Sequence, residues 1–508
     1  MKLPYVPGQP IAVRRWGDAR NDSRQASASI ALSRRTRVSG LAALAIICVA
    51  LWGSSPARSA ELEVGFAHVD ITPQLNANEP IWLAGYYPGR AATGVHDPLF
   101  ARTLVLRSGN TRMAWVSVDL IGVQYPLVQQ LRGRLPEYDY VLVASTHNHE
   151  GPDVIGVWGE TYLQRGVHEP YLGLLVSRME ESIRKAEKEL RPAVASFGTA
   201  KDPSLLDDKR LPVVKDGVLR ALYFTQPESR KALGMVVQWN CHPEALGPDN
   251  TLITADFPAT TVSVLEQHFA CPVVYFSGAV GGLMAPPERR IRNAQGEEVV
   301  LREGDFALAQ KYGEDVAALA KQAVSDARRL ELVPLQIASK TVAVPTTNPL
   351  YRWARLLGIV RRDTYAWKGA DTDFTRPLTS ATTGETPAIA SEVACIRLGE
   401  LRVLCVPGEL YPELVVGRID DPVRVGADYP DAAKEPHVEE LMPDATWMLF
   451  GLANDEIGYL LPQRQWDQVP PFIYDPSGPQ YGEINSCDPR AANIILSALR
   501  EQVNATGR

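Results

Sequence analysis

The sequence lacks most of the patterns that sort a protein of this size into a class at first sight. It has only six cysteines in 508 residues and no C-x-x-C pair, which argues against a disulfide scaffold and a thiolate zinc site. The net charge is -7, and no basic stripe follows residue 60, so a nucleic-acid partner is not expected. H-E-x-x-H, G-x-S-x-G, P-loop and G-x-G-x-x-G motifs are also missing.

The first 60 residues have the pattern of an export signal. The arginine-rich stretch Arg34–Arg37 precedes an apolar run over Leu41–Trp52, and small residues follow over Ser55–Ala60. An apolar run of about a dozen residues is too short to span a bilayer comfortably. We therefore predict that residues 1–60 direct export to the periplasm or the medium. An uncleaved N-terminal anchor is the alternative.

From residue 61 onward, β-rich runs alternate with helical periodicity. Strands are predicted at 104–106, 114–118, 140–144, 235–239, 273–276, 393–398, 402–406 and 446–452. Helices are predicted around Leu172–Ile183, over Phe306–Val324 and over Asp488–Gln502, the last with Asp488 as its N-cap. No internal repeat is visible. The alternation predicts an α/β fold, with mixed α+β as the alternative, in one large domain over residues 61–508.

Two features leave alternatives open. Cys395 and Cys405 fall in neighbouring predicted strands, so they are either paired or two buried thiols. The stretch from Pro345 to Pro387 mixes arginines with leucines and aromatic residues. It is either an amphipathic lid that touches lipid or a surface helix with a packed apolar side and its arginines in water. We favour the surface helix and expect the stretch at the rim of the pocket.

The strongest local signal is the run Ser145–Asp153, which directly follows a predicted buried strand. Residues two apart in extended backbone point to the same side, so His147 and His149 should project together from the strand end. Neutral imidazole is a good zinc ligand, and such a pair therefore suits a zinc site. A hydrogen-bonded pair of loop histidines is the alternative.

Polar residues end three further predicted strands, over Asn240–Glu244, Pro407–Glu409 and Asn454–Tyr459. A site assembled across the edge of a sheet would contain residues of this kind. Each also has a structural explanation: Glu409 as a helix cap, His242 as a turn histidine and Tyr459 as a core residue. Their convergence on strand ends favours a site.

These strand ends carry a resemblance to a known family. The chain resembles the catalytic N-terminal domain of neutral/alkaline non-lysosomal ceramidases from about Val64 to Glu501. The most specific match is Ser145–Pro152, which is similar to the family's Thr-His-Thr-His-Ser-Gly-Pro signature. Further blocks that resemble the family are Gly65–Pro73, Thr93–His96, Asn240–His242, Pro407–Glu409 and Ala453–Tyr459.

The resemblance implies a zinc-dependent amidohydrolase that uses metal-activated water on an N-acylated lipid such as ceramide, or on a related N-acyl small molecule. It implies zinc ligation by His147, His242, Glu409 and Tyr459. His149 would then lie beside the metal as proton shuttle and substrate contact. The spacing alone does not decide which of the first two histidines binds the metal.

Three more residues are expected near this site. Asp119 and Asp256 would orient the ligating histidines, with loop capping as the alternative, and His96 lies in a matched block. The chain departs from the family at Gly281–Pro286, where the Asp and Ser of Gly-Asp-Val-Ser-Pro are missing, and the family's immunoglobulin-like domain does not follow. Hydrolysis of an ester or another amide, and a non-catalytic exported binding protein, are therefore the alternative functions. Peripheral membrane contact accompanies the lipid hypothesis.

Overall fold

The computed structural model describes residues 61–76, 78–378, 384–443 and 445–507. The strands are β1 (Leu62–Asp70), β2 (Gly94–Val95), β3 (Phe100–Ser108), β4 (Thr111–Val118), β5 (Tyr140–Ser145), β6 (Arg191–Pro192), β7 (Val194–Lys201), β8 (Val218–Thr225), β9 (Ala232–Trp239), β10 (Leu252–Ile253), β11 (Val273–Ser277), β12 (Arg289–Arg292), β13 (Glu298–Leu301), β14 (Arg328–Leu330), β15 (Leu335–Pro345), β16 (Tyr365–Ala366), β17 (Pro387–Leu398), β18 (Leu401–Cys405), β19 (Glu409–Leu410), β20 (Thr446–Phe450) and β21 (Tyr459–Leu460). The helices are α1 (Tyr125–Gly133), α2 (Glu169–Lys188), α3 (Asp256–Phe269), α4 (Phe306–Ser325), α5 (Pro349–Leu356), α6 (Glu413–Val416), α7 (Val438–Leu441), α8 (Tyr481–Ile484) and α9 (Ala491–Ala505).

Three five-stranded sheets form the body of the domain, in the orders β5-β4-β3-β1-β6, β11-β9-β8-β7-β14 and β15-β17-β18-β20 with β16 beside β17. Each sheet is mixed, because an antiparallel meander continues into one parallel strand: β5 beside β4, β11 beside β9 and β20 beside β18. The predicted α/β class with mixed strands in one large domain is confirmed.

The topology of the sheets is repeated along the chain. The meander β1-β3-β4 leads through α1 into β5 and then through α2 into β6, which lies beside β1. The meander β7-β8-β9 leads through α3 into β11 and then through α4 into β14, which lies beside β7. The meander β15-β17-β18 leads through α6 and α7 into β20 and then into α9. The structure therefore contains a repeat that the sequence analysis did not find.

The three sheets share one central core, and each keeps a second core under its own helices. Trp115, Phe276 and Phe450 come from different sheets and meet in the centre, where the rings of Phe276 and Phe450 stack at 4.0 Å. On the outer faces, α2 packs on the first sheet, α4 on the second and α9 on the third. Both faces of each sheet are thus covered, which explains the nearly continuous apolar runs of the predicted strands.

The carboxyl ends of the parallel strands meet, and hydrogen bonds join them there. Ser277, at the end of β11, donates its hydroxyl to the carbonyl of Thr146 at 2.7 Å. Its own carbonyl accepts from Gly451 N, just after β20, at 3.0 Å. Asn454 N donates to the carbonyl of Val143 at 2.6 Å. The ends of β5, β11 and β20 are therefore held together at one place in the domain.

Several expectations are confirmed or corrected by these elements. The predicted strands and the helices around Leu172–Ile183 and Phe306–Val324 are confirmed. The closing helix begins at Ala491 rather than Asp488, because the Asp488 carboxylate binds the amide of Arg490 at 2.8 Å and holds a turn before the helix. Among the two cysteine alternatives, the structure has buried free thiols.

Two further points concern membranes and export. Within the described residues, none of the helices combines the length and the apolar character needed to cross a bilayer. The predicted export segment, residues 1–60, lies outside the described residues.

Candidate functional site

The first histidine pair enters the site from the loop after β5. His147 N donates to the carbonyl of Leu120 at 3.0 Å, and the backbone of His147 has a φ of 68°. This left-handed conformation is uncommon for a residue with a Cβ and is held here by the surrounding loop. The rings of His147 and His149 lie 4.8 Å apart. The two side chains therefore do converge, but through a turn rather than through the extended backbone that we expected.

His242 comes from the loop after β9 and joins this pair, its ring lying 4.5 Å from that of His147. The Nδ1 atom of His147 lies 2.7 Å from the carbonyl oxygen of Ile121, and that of His242 lies 3.0 Å from the carbonyl oxygen of Leu283. A carbonyl only accepts, so both Nδ1 atoms must carry the proton. Each Nε2 atom is then left with a free lone pair.

Glu409 faces both of these lone pairs. Its Oε2 atom lies 2.9 Å from Nε2 of His242 and 3.3 Å from Nε2 of His147. Burial favours the neutral acid, but the two histidines dominate and hold the pKa of Glu409 well below its usual range. Burial opposes the charge on His242 as well, yet Glu409 raises its pKa above the usual value. Glu409 begins β19, so it does not cap a helix.

Tyr459 and Glu456 come from the same region as Glu409. Glu409 pairs with Tyr459 in the parallel ladder of β19 and β21. The hydroxyl of Tyr459 lies 3.5 Å from Nε2 of His242 and 3.7 Å from Sδ of Met284. Glu456 accepts from Gly458 N at 2.7 Å, and burial together with the charge of Glu409 raises its pKa well above the usual range. Glu456 is therefore favoured as the neutral acid beside an ionised Glu409.

His149 faces a different carboxylate. Its Nδ1 atom lies 2.8 Å from Oε1 of Glu244, within ion-pair distance but outside hydrogen-bond geometry, and its buried Nε2 atom has no hydrogen-bond partner among the described residues. Burial lowers the pKa of His149 to about 4, although Glu244 acts in the opposite direction. Burial alone would raise the pKa of Glu244, but the three histidines lower it to about 2. The ring is therefore neutral at pH 7, with its Nδ1 atom beside a carboxylate.

This donor set fits a transition-metal cation. His147, His149 and His242 offer ligand atoms within 4.8 Å of one another, and so do His147, Glu409 and Glu456. Imidazole and carboxylate donors are typical of zinc, and the backbone carbonyls that hold the Nδ1 atoms are the usual outer partners of ligating histidines. Buried Glu409 and Glu244 both favour the ionised form, which a cation would compensate.

A buried arginine fixes the loop that carries His149. Arg90 donates to the carbonyl of His149 at 3.2 Å and to Oε2 of Glu150 at 2.6 Å. Tyr86 lies edge-on to His149 with ring centres 5.1 Å apart, and its buried hydroxyl has no partner among the described residues. At Gly85, where φ is 113°, an added Cβ would lie 2.5 Å from Cγ of His149. The position of His149 thus depends on several close contacts.

The three outer residues, Asp119, Asp256 and His96, make their described hydrogen bonds to other groups, and their expected roles at the site stay predictions. Asp119 binds Phe100 N at 2.8 Å and Arg102, and Asp256 binds Ala245 N at 2.9 Å. These carboxylates hold strand ends and loops, the contacts of the loop-capping alternative. None of their hydrogen bonds among the described residues goes to His147, His149 or His242.

His96 stacks on Phe306 at 4.0 Å, and its Nδ1 atom lies 2.7 Å from Asp97. Its side chain is half exposed. The described contacts of His96 do not include the three clustered histidines, so a role at the site stays a prediction.

The fold has known relatives among solved structures. The neutral ceramidase from Pseudomonas aeruginosa superimposes with a TM-score of 0.64 over 88% of this chain and 74% of that chain, at 16% sequence identity. A ceramidase complexed with C2 superimposes with a TM-score of 0.64 over 88% and 75%, at 15% identity. The chain shares the ceramidase fold. No family model matches the sequence, and at these identities the likeness concerns the fold alone.

Sequence reasoning did not assign roles to several residues of the site. Glu244 had a usable signal, because it follows His242 by two residues, as His149 follows His147. Glu456 lies within a polar strand end that was singled out for Tyr459. The carbonyls of Ile121 and Leu283 had no signal, because any residue type supplies a backbone carbonyl.

Proposed function

We propose that the protein is a zinc-dependent hydrolase of an amide bond, acting on an N-acylated lipid such as ceramide or on a related N-acyl small molecule. The observation that carries this proposal is the convergence of the Nε2 atoms of His147 and His242 on one oxygen of Glu409, at 3.3 and 2.9 Å. The fold shared with neutral ceramidases supports amide hydrolysis as the chemistry.

In this proposal His147, His242, Glu409 and Tyr459 hold the zinc ion. When bound, zinc polarises a carbonyl and makes a water molecule acidic enough to react near neutral pH. The Ile121 and Leu283 carbonyls keep the two Nε2 lone pairs directed at one point. No change of tautomer is needed on binding, because Nδ1 carries the proton in both neutral rings. The three-histidine combination that includes His149 is the alternative ligand set.

His149 is proposed to move the proton. Glu244 lies 2.8 Å from its Nδ1 atom and fixes the orientation of the ring. The free Nε2 atom can accept a proton while the water attacks, and can return it to the departing amine. Because burial lowers the pKa of His149 to about 4, the ring is unprotonated at neutral pH, although burial also makes it a weaker base. Glu244 then stabilises the imidazolium that forms.

The identity of the acyl substrate is less constrained than the chemistry. The sulfur of Met284 lies 3.7 Å from the hydroxyl of Tyr459, where the family's motif suggests smaller polar residues. An apolar side chain beside the proposed ligand favours an acyl or alkyl group over a hydroxyl-rich head group. This supports testing esters and other N-acyl compounds together with ceramides. With residues 1–60 as an export signal, the enzyme would act on substrates outside the cytoplasm.

The proposal is tested by metal analysis of the purified protein together with hydrolysis of a fluorescent N-acyl sphingosine. Wild type should contain one zinc per chain and should be active. His147→Ala should lose the metal and at least about a thousandfold in activity. His268→Ala, which alters an exposed histidine on α3, is the matched control and should retain both.

The outcomes separate the parts of the proposal. Zinc without hydrolysis of any amide or ester would refute the catalytic role and favour a binding protein. Activity that survives removal of the metal by a chelator would refute zinc dependence. Zinc with hydrolysis of another N-acyl compound would keep the mechanism and replace ceramide as substrate.

A further inference from the structure

Helix α5 presents its apolar side to solvent. The exposed fractions of Leu350, Trp353, Leu356 and Leu357 are 62%, 62%, 45% and 52%, and none of the residues of α5 is buried. The spacing of these four side chains places them within about 120° of one another around the helix axis. We call them the rim surface. The expected surface helix is present, and Tyr351 and Ile359 pack on the domain. The expectation is wrong for these four apolar side chains, which face away from it.

The opposite side of α5 is tied firmly to the protein. Asn348 caps the helix by accepting from Leu350 N at 2.9 Å, and its Nδ2 atom donates to the carbonyl of Ile484 at 2.8 Å. Tyr351 donates its hydroxyl to the carbonyl of Asn485 at 2.9 Å. The orientation of α5 is thus fixed by polar contacts, and the rim surface is not exposed by a loose attachment.

Other exposed apolar residues lie on both sides of the rim surface. Tyr481 and Ile484 of α8, beside Asn348, are 50% and 43% exposed. Tyr162 and Leu163 are 75% and 73% exposed. They lie in a loop that Arg165 ties to the segment after α5, through a 2.6 Å hydrogen bond to the carbonyl of Ile359. Several exposed apolar side chains in neighbouring segments are a pattern that interaction sites show.

Helix α5, which carries the rim surface, adjoins the candidate site through its other side. The hydroxyl of Tyr351 lies against Gly458, where an added Cβ would come within 2.5 Å of it, and Gly458 precedes Tyr459. Tyr481 also contacts Tyr459, with ring centres 5.7 Å apart. Farther along, Val360 packs in the small apolar cluster that includes Ile121. The segment from α5 to Val360 therefore contacts neighbours of the proposed ligands at two places.

Charge indicates which partner the rim surface would meet. Residues 349–363 contain four arginines and one acidic residue, Asp363, in a chain of net charge -7. Arg361 and Arg362 are engaged in ion pairs. Arg352 is exposed and has no ion-pair partner among the described residues, whereas the half-buried Arg355 is near the charge of Asp363. An exposed stripe of leucine and tryptophan flanked by arginine is the pattern of a helix that lies in the interface of an anionic membrane.

We propose that the rim surface docks on an anionic lipid bilayer, with α5 lying in the plane of the interface and the site opening towards the lipid. This deepens the proposed function and rests on it, since a site that accepts an N-acylated lipid needs access to lipids that do not dissolve in water. Leu350, Trp353, Leu356 and Leu357 would enter the boundary between head groups and acyl chains. Arg352, which is exposed beside the stripe, would meet the lipid phosphates.

The experiment measures cosedimentation of the protein with vesicles of phosphatidylglycerol and phosphatidylcholine, and with vesicles of phosphatidylcholine alone. Trp353→Ser should lower the partition coefficient at least about tenfold, because this variant lacks the apolar ring that would enter the bilayer. Arg352→Ala should lower it about fivefold, on the anionic vesicles only and less at high salt. Val425→Ser, at a fully exposed valine, is the control and should leave it unchanged.

A second readout is the ratio of hydrolysis of a vesicle-embedded N-acyl lipid to hydrolysis of a short-chain soluble amide. This ratio should fall in Trp353→Ser in parallel with vesicle binding. Equal vesicle binding by wild type and Trp353→Ser would refute docking. Docking would also be refuted if wild type binds no vesicles and forms a dimer that Trp353→Ser converts to monomer, because the rim surface would then join two copies of the chain. Vesicle binding without any hydrolysis would retain the docking surface and reject the proposed function. Hydrolysis of soluble amides without vesicle binding would retain the proposed function and reject the docking surface.

Discussion

Asn454 joins the first and third sheets beneath the candidate site, and its replacement by alanine should destabilise the whole domain. Its Oδ1 atom accepts from Val143 N at 3.0 Å, and its Nδ2 atom donates to Tyr140 Oη at 2.8 Å and to Glu392 Oε1 at 3.0 Å. The side chain is fully buried. Alanine would remove all three hydrogen bonds and leave a buried amide without an acceptor.

The size of the effect follows from these contacts. A buried N–H group left unsatisfied costs about 1–3 kcal/mol, and a lost hydrogen bond to a charged group costs about 1.5–3 kcal/mol. We expect Asn454→Ala to lower the free energy of unfolding by about 3–5 kcal/mol. Asn454 has a φ of 64°, which glycine adopts without the cost of about 1–2 kcal/mol that a Cβ brings. Asn454→Gly should therefore be less destabilised than Asn454→Ala.

The assay is urea unfolding followed by tryptophan fluorescence, with the midpoint and slope compared across variants. Asn504→Ala, on the exposed side of α9, is the control and should stay within about 0.5 kcal/mol of wild type. An Asn454→Ala variant as stable as this control would show that the sheets are not joined here. Greater stability of the alanine than of the glycine variant would contradict the backbone argument.

Three further predictions test other parts of the structure. Gly85→Ala should reduce activity at least about tenfold, because the new Cβ would displace His149. Gly89→Ala is the control: it has the same backbone strain, but its Cβ would meet nothing closer than 3.5 Å, so it should retain activity. Equal losses of activity in the two variants would contradict the prediction. Burial raises the pKa of Glu413 from 4.5 to about 7. The folded state therefore binds the proton more tightly than the unfolded state, and this contribution to stability is complete below pH 4.5 and is lost as the pH rises to 7. Between pH 4.5 and pH 7, the free energy of unfolding of Glu413→Gln, measured with urea, should therefore rise by about 3 kcal/mol relative to that of wild type. A difference between the two proteins that does not change with pH would refute this prediction. Alkylation of the denatured, unreduced protein should modify all five described cysteines by mass spectrometry, and any resistant pair would reveal a disulfide.

The strands and long helices could be predicted because their signal is local. Trp115 and Phe276 lie in short apolar runs with β-branched neighbours, which indicate a buried strand without knowledge of the rest of the chain. The spacing of Leu175, Met179 and Ile183 likewise defines one side of a helix. The predicted start of the closing helix, at Asp488, was wrong. An aspartate can cap a helix or hold a turn before it, and the sequence is the same in both cases.

The geometry of the site depends on contacts between distant parts of the chain. The H-x-H run marked His147 as a candidate ligand, but its left-handed backbone arises from hydrogen bonds to Leu120, which no local rule predicts. Glu409 and His242 are 167 residues apart, and only the packing of the second sheet against the third brings them together. The outward orientation of Trp353 was missed for a related reason. An amphipathic pattern shows that a helix has an apolar and a polar side, but it does not show which side packs against the domain.

The repeated topology explains why one site draws on such distant segments. Each unit supplies one share of the cluster from the chain that follows one of its strands: His147 after β5, His242 after β9 and Glu409 after β18. The first two units even share a detail, since Gly65 of β1 and Gly198 of β7 each lie too close to a helix carbonyl, in α2 and α4 respectively, to accommodate a Cβ. A cation bound by all three shares would link the three sheets. Its binding energy would then contribute to the stability of the whole domain rather than of one loop.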